Sequence, residues 1–281
     1  MKKILVTGAN GQLGSELSVL SSKYPEYEWF FADRTKATLD NLDLLPIQLN
    51  DIKADVIFNC GAYTAVDKAE TEKELAFTVN SSAVEIIAKY ASENKVKLIH
   101  VSTDYVFDGT SSVALNEEAF TNPINAYGES KLAGEIACMK QNPDSIVVRT
   151  SWVYSKFGNN FVKTMQRLMQ EKEEISVVND QVGSPTYAAD LAQAMINIVN
   201  SPNWISGTYN YSNEGEISWY EFALSIKELG NYNCQVNGIP SSSYPTPAKR
   251  PSFSLLDKNK IKSIYNLEIP YYKESLKKIF L

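Results

Sequence analysis

Lys3-Ile4-Leu5-Val6-Thr7-Gly8-Ala9-Asn10-Gly11-Gln12-Leu13-Gly14 is the stretch on which the fold turns. The short apolar run from Lys3 to Thr7 reads as a buried strand. Gln12 to Ser22 carries apolar residues at three-to-four spacing and reads as a helix. Between them, Gly8 permits a tight turn, Gly11 lets the backbone approach a pyrophosphate, and Gly14 allows close packing of helix on sheet. The helix N-terminus then offers unpaired N–H groups and a partial positive charge to that anion. The spacing is GxxGxxG, looser than GxGxxG, so its place directly after the first strand carries the reading of a dinucleotide site. The alternative is a strand-to-helix turn that uses glycine for geometry alone.

The same rhythm runs outward. Tyr27 to Phe31, Val56 to Asn59, Val96 to Val101 and Ser145 to Arg149 read as further strands, with helices at Glu70 to Ser92 and Tyr127 to Lys140. Strands joined by helical crossovers predict an α/β fold with a Rossmann-type doubly wound parallel sheet, here a dinucleotide-binding domain over residues 1–150. Beyond Thr150 the rhythm loosens: a helix near Asn160 to Glu171, a strand Ile175 to Val178, a turn at Gly183-Ser184-Pro185 and a helix Ala188 to Val199. Residues 151–281 are expected to form a smaller α/β lobe, mainly substrate-binding and interleaved with the first, with helix 187–200 packing back on the nucleotide-binding domain. Ile239 to Pro251 holds four prolines and three consecutive serines and ends on Lys249-Arg250, so it reads as an active-site flap or a linker. The final Tyr271 to Leu281 reads as a short closing helix.

Composition bounds the function. A chain of 281 residues, 44% hydrophobic and 21% charged, is ordinary for a globular protein. A net charge of -6 argues against a nucleic-acid partner while leaving room for a local basic pocket. Cys60, Cys138 and Cys234 lie far apart with no CxxC pair, so neither a disulfide framework nor a zinc site is expected. The apolar run after Met1-Lys2-Lys3 is too short for a signal-peptide core, and no 18-residue apolar stretch follows, so the expectation is a cytoplasmic protein without a membrane partner. The single histidine, His100, ends an apolar run and reads as a packed strand residue, which leaves Ser-His-Asp triads and multi-histidine metal sites unsupported.

Asp33 ends the second strand, near the place where an acid grips the adenosine ribose hydroxyls, which favours NADH. Arg34 beside it can pair with a 2′-phosphate, which favours NADPH; the choice stays open. Tyr127 and Lys131 stand four residues apart at the start of a predicted helix, one turn apart on one face. A free phenol titrates near about 10, and a fixed ammonium beside it is expected to lower that value so that the phenol can exchange a proton. Ser102-Thr103-Asp104-Tyr105 leaves the predicted fourth strand at its carboxyl end, where open α/β sheets place ligands. From there the Thr103 hydroxyl can donate to a carbonyl oxygen that receives a proton from Tyr127. Alternatively, Ser102 and Thr103 only cap backbone at a strand end.

Thr103, Tyr127 and Lys131 with GANGQLG resemble the extended short-chain dehydrogenase/reductase superfamily. Four longer strings narrow this: Asn59 to Glu70 (NCGAYTAVDKAE), Ser102 to Gly109 (STDYVFDG), Arg149 to Tyr154 (RTSWVY) and Asp180 to Ala192 (DQVGSPTYAADLA). Together they resemble the dTDP-4-dehydrorhamnose reductase family over nearly the whole chain. The resemblance implies reduction of the 4-keto group of a nucleotide sugar, dTDP-4-dehydro-L-rhamnose, by NADPH or NADH. It implies that Gly11, Gln12 and Leu13 touch the cofactor diphosphate, Asp33 the ribose, Asp40 the adenine, and Ala62, Tyr63 and Thr64 the cofactor's middle. Tyr127 and Lys131 would serve both cofactor and catalysis. Thr103 and Asp104 would meet the sugar, and Trp152, Asn160, Gln181 and Arg250 would complete the substrate side. Each has a plainer reading: Trp152 as packing between lobes, Asn160 as a helix cap, Gln181 as a turn residue, Arg250 as partner of a surface acid.

Two departures from the family pattern stand out. Cys60-Gly61 replaces consecutive alanines, and 34–45 aligns poorly, which bears on Asp40 and on the cofactor preference. Some relatives bridge a dimer through magnesium; Glu16 sits at one such position, but Ala189 stands where a second carboxylate belongs, so no metal site is expected and the chain is read as monomer or homodimer. Two other functions fit the same fold: a nucleotide-sugar epimerase that keeps its cofactor bound, and a non-catalytic nucleotide-binding regulatory subunit. The four strings weigh against the first, and intact Thr103, Tyr127 and Lys131 against the second.

Overall fold

The computed structural model describes residues 1–281. Strands β1 (Lys2–Thr7), β2 (Tyr27–Ala32), β3 (Val56–Asn59), β4 (Lys97–Thr103) and β5 (Ile146–Thr150) join Gly207–Asn210 in one sheet, ordered Gly207–Asn210, β5, β4, β3, β1, β2. Every pairing in it is parallel. The sheet is buried on both sides, so its strands are almost continuously apolar, with alternate residues serving opposite faces. Ile4, Val6, Val56, Phe58, Ile146 and Val148 enter one core with the helices Gln12–Ser21 and Ala188–Asn200. Leu5, Ile57, Leu98 and Val147 enter the other, against Leu44–Ile52 and Ala83–Glu93. The chain winds outward from β1 in both directions, so the crevice between the ends of β1 and β3 is the switch point at which such sheets bind ligands.

Residues 151–281 do not form a contiguous second unit. The helix Ala188–Asn200, the edge strand Gly207–Asn210 and Ile261 and Tyr265 of the helix Asn259–Tyr265 all build on the first layer. The separate lobe has its own core around Tyr154 and Phe222, fed by the helices Phe161–Glu171, Trp219–Gly230 and Tyr272–Lys277. Its parallel strand pair Glu174–Val178 and Gln235–Ile239 closes that core. The segment read as a turn at Gly183-Ser184-Pro185 is instead flanked by two short strands: Val182–Gly183 pairs with Ile217–Ser218, and Thr186–Tyr187 with Val153–Tyr154. No helix is long and apolar enough to cross a membrane.

The stretch Glu70 to Ser92, read as one helix, begins only at Lys73, after a separate short helix Val66–Ala69, and is divided into Lys73–Phe77, a π-helical turn at Thr78–Ser82, and Ala83–Glu93. The cause is Asn80, which is buried and hydrogen-bonds both the N–H and the carbonyl of Tyr63, at 2.9 and 3.0 Å. Widening the helix by one residue turns that amide inward, a frequent use of π-turns near functional sites.

Candidate active site

Gly8 has φ +66°, a left-handed conformation, and a Cβ there would lie 2.6 Å from Gly61 Cα. A Cβ on Gly14 would stand 2.4 Å from the Gly8 carbonyl oxygen. Only glycine at both places lets the first turn nest against the loop after β3 and the helix start beside it. That helix begins at Gln12 without any side-chain cap, so its first N–H groups face the crevice. The Thr7 hydroxyl donates to Asn59 Oδ1 at 2.7 Å and accepts from the Gly61 N–H at 3.1 Å. Behind it, Asn59 Nδ2 meets Nδ1 of the buried His100 at 3.0 Å, and burial holds that imidazole well below its ordinary titration range. His100 is a packed strand residue that braces the cofactor-side loop.

The crevice opens into a cleft of about 910 Å³, near the upper end of ligand-pocket sizes, as an extended dinucleotide requires. Gly8, Gly11, Gln12, Leu13 and Gly14 form one end of its wall, and Asp33, Arg34 and Asp40 lie along another stretch. Ala62, Tyr63 and Thr64 cover the middle, and Tyr127 and Lys131 lie in the same wall. Every residue assigned to the cofactor from the sequence therefore borders this one cleft. Asp33 Oδ1 accepts from both the N–H and the hydroxyl of Thr35, at 2.9 and 2.7 Å, which holds its carboxyl below the usual range.

Tyr127 and Lys131 project from the helix Ala126–Gln141, whose start is capped by Asn125. The expectation that Lys131 acidifies Tyr127 is not met. Burial pushes the phenol up to about 12, opposed only by the Thr103 hydroxyl that bonds it. Lys131 instead donates to the Val101 carbonyl at 2.7 Å, and its own burial pulls it down to about 8. Desolvation is the largest cause for each group, and neither is among the causes that shift the other. The result is a phenol that stays protonated through neutral pH, the form required of an acid.

Thr103 donates to Asp104 Oδ1 at 3.0 Å, while Asp104 Oδ2 is buried without a hydrogen-bond partner. Burial raises that carboxyl to about 6, against the pull of the Ser254 and Thr103 hydroxyls. A raised folded value means that the native state binds the proton more tightly than the unfolded chain, so stability is lost as pH climbs from about 4 towards 6. Asp104→Asn is therefore expected to be more stable than the parent at pH 8, by up to about 3 kcal/mol, with the difference gone below about pH 4. Urea unfolding at the two pH values reads this; an Asn variant weaker at pH 8 would refute it.

The other substrate-side assignments fall elsewhere. Asn160 caps the helix that follows it and donates to Gln12 Oε1 at 3.0 Å, beside the phosphate turn and not beside Thr103. Gln12 Nε2 also reaches the Val153 carbonyl, at 3.3 Å, tying that turn to the second lobe. Trp152 has φ +48° and stacks on Trp219 with centroids 3.6 Å apart, so packing within the lobe holds a backbone conformation costly for a bulky residue. Gln181 precedes Val182, whose N–H bonds the Ser252 carbonyl, which places it alongside the end of the proline-rich segment. Arg250 is committed to Asp67 in a bidentate pair of 3.1 and 2.8 Å, the plainer of its two readings. That pair, with Asn125 Nδ2 on the Lys249 carbonyl at 2.7 Å, docks the end of the segment against the helix Val66–Ala69 and the start of the Tyr127 helix, and none of residues 239–251 lines the cleft.

Asn80 escaped the sequence reading, and Ser102 was read there only as a strand-end residue that caps backbone. Asn80 clamps Tyr63 and also donates to the Ser130 hydroxyl at 3.0 Å, which in turn bonds the Tyr127 carbonyl, so one amide joins the cofactor loop to the Tyr127 helix. An asparagine in an apolar helical stretch was its only signal. Ser102 lines the cleft with a buried hydroxyl that lacks a protein partner.

A family model described as the RmlD substrate binding domain matches residues 1–281. A dTDP-4-dehydrorhamnose reductase of Aggregatibacter actinomycetemcomitans is 39% identical, with 99% of this chain and 98% of the relative covered. The crystal structure of the Bacillus anthracis dTDP-4-dehydrorhamnose reductase in complex with NADP superposes with a TM-score of 0.95 at 38% identity, over 100% of this chain and 99% of that one. A UDP-glucose 4-epimerase of Thermus thermophilus, with NAD, reaches a TM-score of 0.82 at 18% identity over 98% and 96% of the two chains, a likeness of fold alone. With the glycine turn, the Thr103–Tyr127 contact and a full-length match all in one chain, this protein belongs to the dTDP-4-dehydrorhamnose reductase family.

Proposed function

We propose that this protein reduces the 4-keto group of dTDP-4-dehydro-L-rhamnose to give dTDP-L-rhamnose, with Tyr127 as proton donor. A nicotinamide cofactor, NADPH or NADH, supplies the hydride when bound. The observation that carries the reading is the placement of Tyr127 and Lys131 in the wall of the cleft that the Gly8–Gly14 turn begins. The chain's own groups then divide the work. The uncapped helix N-terminus and the glycine turn hold the diphosphate. Lys131, fixed on the Val101 carbonyl one helical turn from Tyr127, supports the cofactor. The Thr103 hydroxyl, beside the phenol, turns its one proton from Asp104 to the ketone oxygen as that oxygen gains charge. Asp104, which accepts from the Thr103 hydroxyl, is the carboxylate on the sugar side.

The direct test is incubation with dTDP-4-dehydro-L-rhamnose while NADPH and NADH absorbance are followed separately. One cofactor oxidised per ketosugar is the expected result; tightly held cofactor without net consumption would point to an epimerase. Arg34 is exposed beside Asp33 and suited to a 2′-phosphate. A charge-assisted contact of that kind is worth about 1.5–3 kcal/mol, so Arg34→Ala is expected to raise the KM for NADPH at least about tenfold and to leave that for NADH nearly unchanged. Equal effects on both cofactors would remove Arg34 from the 2′-phosphate site.

A further inference from the structure

Tyr127, Lys131, Glu135 and Cys138 follow one another down one face of the helix Ala126–Gln141, the first half-buried and the other three buried. Lys131 is 2% exposed and has no carboxylate in contact; its ammonium rests on a backbone carbonyl. One turn further on, Glu135 is 4% exposed and is gripped by Arg149 of β5, itself 5% exposed. Arg149 Nη2 lies 2.7 Å from Oε2 and Nε 3.0 Å from Oε1. The guanidinium also donates to the Glu117 carbonyl at 3.3 Å and sits 5.2 Å from the centre of the Phe107 ring. It is the only ion pair in the protein with both side chains almost fully buried.

Such a pair is poor value as a stabiliser, because apolar residues of similar volume often do as well or better. Its position offers another use. The groups facing Lys131 are Glu135 and Cys138 on its own helix, Cys60 from the loop after β3, and His100 on β4. Burial pushes the Cys60 thiol far up and Cys138 up to about 11, and it keeps His100 neutral. Tyr127, one turn earlier, is protonated. Glu135 is thus the only carboxylate among these neighbours, and Arg149 lies directly behind it.

We propose that the buried Glu135–Arg149 pair is a positioning device for Lys131: the carboxylate stands one turn behind the ammonium in its dry site and draws on it, and Arg149, gripping that carboxylate, limits the pull. Glu135 and Arg149 touch neither cofactor cleft nor Tyr127 among the contacts described, so both act through Lys131. The inference rests on the reductase reading only in giving Lys131 a part in the reaction.

The two halves of the pair must act in opposite directions, which a purely structural role would not produce. In ligand-free protein carrying ε-13C lysine, the Lys131 resonance, assigned by its loss in Lys131→Met, is followed against pH. Glu135→Gln leaves Arg149 as an unopposed positive charge, and the Lys131 midpoint is expected to fall by about one pH unit or more. Arg149→Gln leaves the carboxylate unopposed, and the midpoint is expected to rise. Where a single variant does not fold, the double variant Glu135→Gln/Arg149→Gln removes both charges and keeps an amide pair. Its midpoint is expected to fall, by less than in Glu135→Gln. Single variants that leave the midpoint in place or move it the same way overturn the proposal, as does a double variant with the parent midpoint. Midpoints that move as stated in a protein without ketosugar turnover would sink the reductase reading and not this one.

Discussion

Tyr127→Phe is expected to lower kcat for ketosugar reduction by about 10²–10⁴-fold, the range that a positioned general acid contributes. Only the phenolic oxygen is removed. Packing should survive, since the ring keeps its edge-on contact with Tyr105 at 5.6 Å between centroids, and the glycine turn lies on a different element. Binding of reduced cofactor, followed by fluorescence, should change little. With the phenol pushed up to about 12, the parent enzyme should show no loss of activity from Tyr127 below pH 9 or so; any alkaline limb in that range belongs to Lys131, which titrates at about 8. A Phe variant with full turnover would remove Tyr127 from the chemistry.

Gly8→Ala should have the next largest effect. Its Cβ meets backbone and not a movable side chain, at 2.6 and 2.7 Å from Gly61 Cα and N, and the residue must hold φ +66° as well. Left-handed strain and forced repacking together cost about 2–5 kcal/mol. Part of that will be relieved by moving the loop after β3 away, which widens the cleft where Ala62 to Thr64 line it. The expected outcome is a lower unfolding midpoint in urea together with at least about tenfold weaker cofactor binding, since a misplaced helix N-terminus loses its anion contacts. Unchanged affinity in a folded variant would show that the turn is not the phosphate site.

Which parts were legible in the sequence follows from what each residue touches. The β1 turn was readable because its glycines answer to local backbone geometry, and the strands were readable because two buried faces demand unbroken apolar runs. Tyr127 and Lys131 were readable because helix spacing fixes their common face. Their electrostatics were not: the phenol's proton is held by burial, a property of neighbours far away in the chain. The π-turn at Thr78–Ser82 was hidden for the same reason, as its cause is a clamp on Tyr63 seventeen residues earlier. Asn160 and Arg250 were drawn towards the substrate by resemblance, and their plainer readings describe their contacts better. The edge strand Gly207–Asn210 escaped because Gly-Thr-Tyr-Asn carries little apolar signal until β5 lies beside it.

The way the chain returns to its first layer has a bearing on how the molecule comes apart. Leu191, Met195, Tyr209, Ile261 and Tyr265 complete a core that Ile4, Val6 and Phe58 begin. A fragment ending at residue 150 would keep five of the six sheet strands and leave one side of the sheet covered only by the helix Gln12–Ser21. Melting of the amino-terminal half is thereby coupled to that of the carboxyl-terminal half, and the protein has no natural point at which to be divided into autonomous pieces.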